Sequence, residues 1–246
     1  MHRTLRIATF NIHKGVSSFN TRLVLRQQRD LLRHMQADIV FLQEVRGEHA
    51  SHQRLHVGSQ HEYLAEREWQ DSVYGKNAVY PAGHHGNAVL SKYPIARWEN
   101  VDISANPVEQ RGMLHCEIAI PGWEQPLHGI CVHFGLLAHW RHKQLSLLRE
   151  RIESLVPQHA PLVIAGDFND WRQKAGRVLA DGLHLREVFE STHGQAARSF
   201  PSILPLFRLD RIYTRGFHIN SAQVHGGTQF AKVSDHAALS ATMTRL

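Results

Sequence analysis

The sequence predicts a layered α/β or α+β protein, and three features lead there. Short apolar runs with strand character follow one another through most of the chain. Only a few stretches between them carry helical spacing. The runs also tend to stop abruptly at a carboxylate or an amide. A strictly alternating βαβ barrel does not fit this pattern. The 246 residues are close to the largest number that one hydrophobic core serves, so a single domain over residues 1–246 is expected.

Residues 5–12 alternate into Asn11 and read as a first strand, followed by a loop over 14–20. Leu25, Leu32 and Met35, with Val24 and Leu31 beside them, place a helix over 21–35. Residues 38–45 form a second buried strand with Glu44 near its carboxyl end. Between 46 and 83 the pattern weakens to a polar helix around 49–56 and strand pieces near Tyr63 and Ala78. His49, His52 and His56 would share a face of that helix. Solvated side chains are expected there ahead of a metal site, because zinc normally recruits cysteine or acidic partners.

Further strands are expected over 86–91, 97–103, 112–120 and 127–134, with Pro121-Gly122 as punctuation. Leu145, Leu148, Ile152 and Leu155 keep three-or-four spacing in a helix over 139–156, which Pro157 ends. A strand opens the run 161–170, and a helix near 173–179 and a loop rich in Ser, Gly and Pro follow. Strands over 209–213, 219–224 and 237–243 complete the chain.

The run 161–170 passes from apolar residues to Asp167-Phe168-Asn169-Asp170. A buried strand with a polar end must bring that end to one rim of its sheet. Gly166 lets the backbone turn or approach a ligand closely. Asp167 and Asn169 share parity, so both side chains face one side if the extended conformation continues that far. Gly-Asp-x-Asn is also ordinary turn chemistry, and both readings stand on these residues alone.

Hydrophobic content of 42% and a charged fraction of 20% describe a globular chain, neither disordered nor membrane-embedded. No run approaches the ~18 apolar residues of a spanning helix, and residues 1–6 lead into a strand without a signal-peptide core. A cytoplasmic location is expected. Cys116 and Cys131 both lie in strand-like segments, which favours buried free thiols over a disulfide. Net charge is +6 with twenty histidines besides, favouring a polyanionic or phosphate-bearing partner: DNA, RNA, an anionic lipid headgroup or a small phosphoester. An obligate protein partner is not expected.

Polar residues at strand ends recur at Asn11, Glu44, Asp167 with Asn169, Asp210, and Asp235-His236. Carboxylates and amides gathered from several strands make a hard oxygen-ligand set suited to Mg²⁺ or Mn²⁺ before zinc. The ordered motifs are Thr9-Phe10-Asn11, Leu42-Gln43-Glu44, Gly86-Asn87-Ala88-Val89-Leu90-Ser91, Val132-His133, Gly166-Asp167-Phe168-Asn169, Leu209-Asp210-Arg211-Ile212 and Ser234-Asp235-His236. Together they resemble the endonuclease/exonuclease/phosphatase superfamily.

That resemblance implies a four-layer α/β sandwich of two packed mixed sheets flanked by helices, DNase I-like, and hydrolysis of a phosphoester with Mg²⁺ or Mn²⁺. It implies metal ligation by Glu44 with Asn11 and Asp235. Asp167 would orient or deprotonate the attacking water, Asn169 would hold the water or a phosphoryl oxygen, and His236 would contact the phosphate with Asp210 fixing its tautomer and charge.

His133 resembles the histidine of the deoxyribonuclease I, sphingomyelinase and inositol polyphosphate phosphatase branch, which implies an acid or phosphate contact. Abasic-site endonucleases usually carry a tyrosine-based motif there and a proline after Ser-Asp-His-x, where this chain has Ala237-Ala238. Arg111 is expected to contact the substrate phosphate, and Asn87 to line the same cleft. Arg208, Arg211 and Arg215 flank Asp210 and would raise its local potential or be solvated, and His84-His85 reads as a surface loop. A phosphodiesterase acting on nucleic acid leads. A phosphatase or phospholipase-like diesterase is the alternative, and a non-catalytic binding module comes last.

Overall fold

Two parallel strand pairs, each closed by a crossover helix, organise the structure, a computed structural model that describes residues 3–18, 22–49, 59–173, 175–180 and 182–246. In the first, β1 (Thr4–Asn11) and β2 (Ile39–His49) run parallel through α1 (Leu25–His34). In the second, β7 (Leu127–His133) and β8 (Leu162–Asp167) run parallel through α3 (Ala138–Leu155). Parallel neighbours cannot be joined by a tight turn, so a helix must cross over between them.

The remaining strands add antiparallel edges. The first sheet has the order β11-β12-β1-β2-β4-β3, with β3 (Asp71–Tyr80), β4 (Gly83–Ser91), β11 (Phe217–His225) and β12 (Ala238–Arg245). The second has the order β5-β6-β7-β8-β10-β9, with β5 (Ile95–Asp102), β6 (Gly112–Ile118), β9 (Arg186–Glu187) and β10 (Asp210–Arg215). Short helices α2 (Gln60–Ala65), α4 (Ala175–Ala180), α5 (Val188–His193) and α6 (Thr228–Ala231) complete the chain. No helix among the described residues is long and apolar enough to cross a membrane.

The strands read as nearly continuous apolar runs because both faces of each sheet are covered. Leu5, Ile7, Phe41, Leu114, Val163, Ala165 and Ile212 fill the space between the sheets. Their neighbours of opposite parity, such as Ala8, Phe10 and Leu42, pack outward with Leu25 and Leu32 of α1. Ile130, Val132 and Ile164 do the same with Leu145, Leu148 and Ile152 of α3. Helix, sheet, sheet and helix form the expected four-layer sandwich. Cys116 and Cys131 are free and buried in it, and burial pushes the Cys131 thiol up to about 12.

Several local expectations are corrected. The segment at Tyr63 is helical, not extended, because α2 buries Gln60, Leu64 and Ala65 in only six residues, too few for periodicity to register. The region expected as a loop after 179 holds α5, whose first turn is capped by Glu187 accepting from the Glu190 amide and which ends at Gly194 with φ 73°. His84 and His85 belong to β4, where His84 Nδ1 shares a 2.9 Å hydrogen bond with Tyr74 Oη. Of the polar helix expected over 49–56, His49 instead ends β2 opposite Gly83, and 50–56 lie outside the described residues.

The topology explains why polar residues end at one rim. The carboxyl ends of β1, β2, β7 and β8 share a direction, and β12 and β10 start antiparallel beside β1 and β8, with Asp210 opposite Asp167. Gly166 makes this possible. Its φ is +149°, and a Cβ there would lie 2.0 Å from the Val132 carbonyl oxygen of the neighbouring strand. Gly166→Ala is expected to lower stability by at least about 2 kcal/mol. A urea melt with an unchanged midpoint would contradict this.

Candidate active site

Asp167 is the centre of the rim. It ends β8, is almost wholly buried, and is flanked in register by His133 on β7 and Asp210 on β10. Its Oδ1 accepts from the Asn169 backbone amide at 2.9 Å, so the chain turns here. Asn169 sits at φ 47° and not on a continued strand, which corrects the expected shared parity. The turn nonetheless keeps Asn169 buried beside Asp167, with its Nδ2 donating to the Phe134 carbonyl at 2.9 Å.

The other carboxylate oxygen faces a set of nitrogen groups. Asn11 Nδ2 donates to Asp167 Oδ2 at 3.2 Å across the two sheets, while His133 Nε2 and His236 Nε2 lie 3.6 and 3.8 Å from the same oxygen. His236 Nδ1 is 2.8 Å from Asp210 Oδ2, and both side chains are buried. Ser234 Oγ fixes this corner by donating to the Asn11 carbonyl and accepting from the His236 amide.

The charges follow from burial and proximity. Burial, with Asp210 nearby, pushes the Asp167 carboxyl up to about 7 against the opposing influence of His236 and its hydrogen bonds. Burial alone would depress His236, but the Asp210 and Asp167 carboxylates outweigh it and raise the imidazolium to about 10. His236 is therefore charged at neutral pH. Burial, with Arg111 and His85 nearby, holds His133 well below its ordinary value. His133 is thus a neutral ring, better suited to donate a hydrogen bond than to act as an acid.

Glu44 reaches the rim by a different route. Pairing of β2 with β4 slips between Leu42 and Val45, so Gln43 and Glu44 oppose Asn87 across a bulge, and Glu44 adopts φ 56°. A bulge re-aims a side chain, and positive φ in a non-glycine residue is strain of the kind held at functional sites. Gln43 turns inward onto Thr9 and Cys131. Glu44 Oε2 is buried with no hydrogen-bond partner among the described residues, and Lys14 Nζ stands 3.6 Å away. Asp235 Oδ1 pairs with His13 Nδ1 at 3.1 Å, which raises His13.

Of the metal set expected from the sequence, Asn11 is bonded to Asp167, Asp235 is paired with His13, and Glu44 faces Lys14. Among the described residues, Asp167, Asp210 and His236 offer ligand atoms within 4.8 Å of one another, and a divalent cation there would have to displace the proton that His236 shares with Asp210. His13 and Lys14, both at positive φ, were missed in the sequence. Their signal was two basic residues directly after a strand ending in Asn11.

The remaining expected contacts differ in exposure. Arg111 is mostly buried, donating to the Phe134 carbonyl and pairing with Glu109 at 2.8 Å, beside His133. Asn87 is wholly buried and braces the sheets by donating to the Gly112 carbonyl. Its Oδ1 lacks a hydrogen-bond partner among the described residues. Arg208, Arg211 and Arg215 are held by partners other than Asp210. Strand alternation turns Arg211 to the opposite face, toward Asp170, and the other two bond carbonyls of Ala196, Leu183 and Pro157.

Comparison with known proteins agrees with this fold. An uncharacterized protein of Escherichia coli strain K12, YbhP, is 46% identical over 243 residues, covering 97% of this chain and 95% of that one. The solved endonuclease/exonuclease/phosphatase of Beutenbergia cavernae superposes with a TM-score of 0.80 at 21% identity, covering 99% of this chain and 72% of that one. The D. rerio TDP2 structure complexed with a single-strand DNA product gives 0.71 at 19% identity, covering 98% and 99%. The sequence model described as the Endonuclease/Exonuclease/phosphatase family matches residues 8–236, spanning every motif from Asn11 to His236, and the chain belongs to that family.

Proposed function

We propose that this protein is a divalent-cation-dependent phosphodiester hydrolase that directs a water at phosphorus. Family membership suggests metal-dependent phosphoester hydrolysis, and one observation carries the finer reading. A buried carboxylate raised to about 7, Asp167, faces the edge of a buried imidazolium, His236, that is itself paired with Asp210. A base beside a fixed positive charge is what water attack on an anionic ester requires.

Asp167 Oδ2 accepts the proton of the attacking water, a phosphorus–oxygen bond forms, and the bond to the leaving oxygen breaks, that oxygen departing with the bonding pair and taking its proton from solvent. The charge that builds on the phosphoryl oxygens is met by the N–H of charged His236 and by neutral His133, with Arg111 behind them. Asp210 holds His236 in tautomer and charge. Asn11 and the Asn169 amide hold Asp167 in place.

The donor set also fits a cation. Glu44 Oε2 is an orphaned buried oxygen facing Lys14, and Glu44, Asp235 and Asn11 are hard oxygen donors suited to Mg²⁺ or Mn²⁺. Glu44 would hold the ion with Asp235 and Asn11, in preference to the Asp210–His236 pair, whose facing atoms are spent on each other. Such an ion supplies Lewis-acid stabilisation of phosphoryl charge. Chelation is expected to abolish turnover, Mg²⁺ or Mn²⁺ to restore it, and Glu44→Gln to raise the metal concentration needed by about tenfold or more. Chelator-resistant turnover would contradict this.

Nucleic acid is the first substrate class to test, because the chain is basic and a relative of the same fold was solved with a single-strand DNA product. Supercoiled and single-stranded DNA, RNA and bis-p-nitrophenyl phosphate separate a nuclease from a small-diester enzyme. A second reading, an amphiphilic phosphodiester such as a phospholipid headgroup, is favoured by exposed apolar side chains beside the site.

A further inference from the structure

Residues 199–207 form a tight hairpin built onto the catalytic corner. Ser199 and Phe200 pair with Phe207 through backbone hydrogen bonds. The base is tied to the start of β10, which carries Asp210, and to the segment entering β12, which carries His236: Ala237 donates to the Ser199 carbonyl, and the Asp210 amide donates to Ser199 Oγ. Ser202 donates through its amide to the Asp235 carbonyl and through its hydroxyl to the Ser234 carbonyl. The Phe200 ring lies 5.0 Å from the His236 ring, and Trp171 packs edge-on against Phe200 and Phe207.

The tip of this rigid hairpin is apolar and in solvent. Ile203 is 76% exposed, Leu204 65% and Leu206 52%, and Trp171 at its side is 40% exposed. Leu136 and Leu137, just beyond His133 and Phe134, are half exposed as well. Isolated exposed apolar residues are unremarkable, but a cluster projecting beside a catalytic site marks a docking surface. Ile203 also borders a groove of about 920 Å³ beside α1 and α6, lined by Val24, Leu31 and Val233 together with Arg22 and Lys232. Arg172 and Arg198 are exposed next to Trp171 and the hairpin.

We propose that this rim docks on an anionic phospholipid bilayer, the hairpin tip entering the headgroup and acyl boundary so that a lipid phosphodiester is presented to Asp167 and His236. Aliphatic tips flanked by an aromatic side chain and by cations are the composition that such an interface selects. The net charge of +6 complements an anionic surface. A nucleic-acid partner fits the tip poorly. The rings of Trp171 and Phe207 and the cations Arg172 and Arg198 lie at the sides of the hairpin, whereas the projecting isoleucine and leucines offer bases no ring to stack on and phosphates no charge.

This inference rests on the hydrolase reading, and its test separates the two. Wild type, the triple variant Ile203→Ser, Leu204→Ser, Leu206→Ser, and Asp167→Asn are floated with vesicles of phosphatidylcholine alone or mixed with phosphatidylglycerol. Turnover of bis-p-nitrophenyl phosphate is measured beside each. Wild type and Asp167→Asn are expected to float with the anionic vesicles. The triple variant should lose at least about tenfold in binding while keeping its melting temperature and small-diester turnover.

Wild type that cleaves the small diester or DNA but never floats overturns the docking surface and leaves the hydrolase standing. Undiminished flotation of the triple variant overturns it too, as does a concentration-dependent dimer that the triple variant abolishes. Flotation without any diester hydrolysis overturns the hydrolase, and with it the presentation of substrate.

Discussion

Asp167→Asn is expected to lower phosphodiester turnover by about 10³-fold while the protein stays folded. The amide keeps an oxygen that can accept from the Asn169 backbone, so the turn after β8 survives. What it loses is the capacity to take a proton. The pH profile follows from the same groups. Asp167 must be ionised, so turnover rises with pH along an acid limb at or below about 7. His236 must stay protonated, so turnover falls again as pH passes about 10. Asp167→Asn should retain the wild-type melting temperature and show no acid limb in its residual rate. Near-normal turnover by this variant would remove Asp167 from the chemistry.

Asp210→Ala is expected to lower stability at neutral pH by about 3–5 kcal/mol, because it strands a charged imidazole that is nearly inaccessible to water. The sign of the pH dependence is fixed by His236. Its pKa is raised from 6.5 to about 10 in the folded protein, so its stabilisation is fully present below pH 6.5 and is lost as pH rises through about 10. Asp167 is also raised, from 3.8 to about 7, and its own contribution has run out by that upper value. His13 and the buried thiols of Cys116 and Cys131 are raised as well and titrate in the same direction, so the His236 pair is read from the difference between wild type and Asp210→Ala in urea melts between about 7 and 10. Wild type should lose stability across that window and Asp210→Ala should lose much less. Parallel curves would show that the pair is not ionised as described.

The residues at strand ends were legible in the sequence because an apolar run that stops at Asn11, Asp167 or Asp210 has one place to put its polar end. Their convergence was legible only through the ordered set of motifs, since register between strands distant in the chain has no local signature. The bulge that turns Glu44 outward left no trace, because a one-residue slip in pairing depends on β4 and not on β2 alone. Arg211 was misjudged for the opposite reason. Proximity to Asp210 in the chain places it on the other face of the strand.

Helix α5 was hidden by its length, although Glu187 and Gly194 mark its two ends. The hairpin over 199–207 falls in what the sequence reads as a loop rich in Ser, Gly and Pro. Its hydrogen bonds to Ser234, Asp235 and Ala237 tie it to the corner that holds His236 and Asp210. His13 and Lys14 belong to the same class. Their importance comes from the carboxylates they meet, which lie far away in the chain.

The central claim is that Asp167 activates water for attack on a phosphodiester with a divalent cation present. Its most direct test is hydrolysis of bis-p-nitrophenyl phosphate and supercoiled DNA by wild type and Asp167→Asn, with Mg²⁺, with Mn²⁺ and with chelator. Cleavage of at least one diester by wild type, dependent on the cation and lost in the variant, is the predicted result. Cleavage that survives chelation or survives Asp167→Asn, or no cleavage of any diester under any of these conditions, would contradict it.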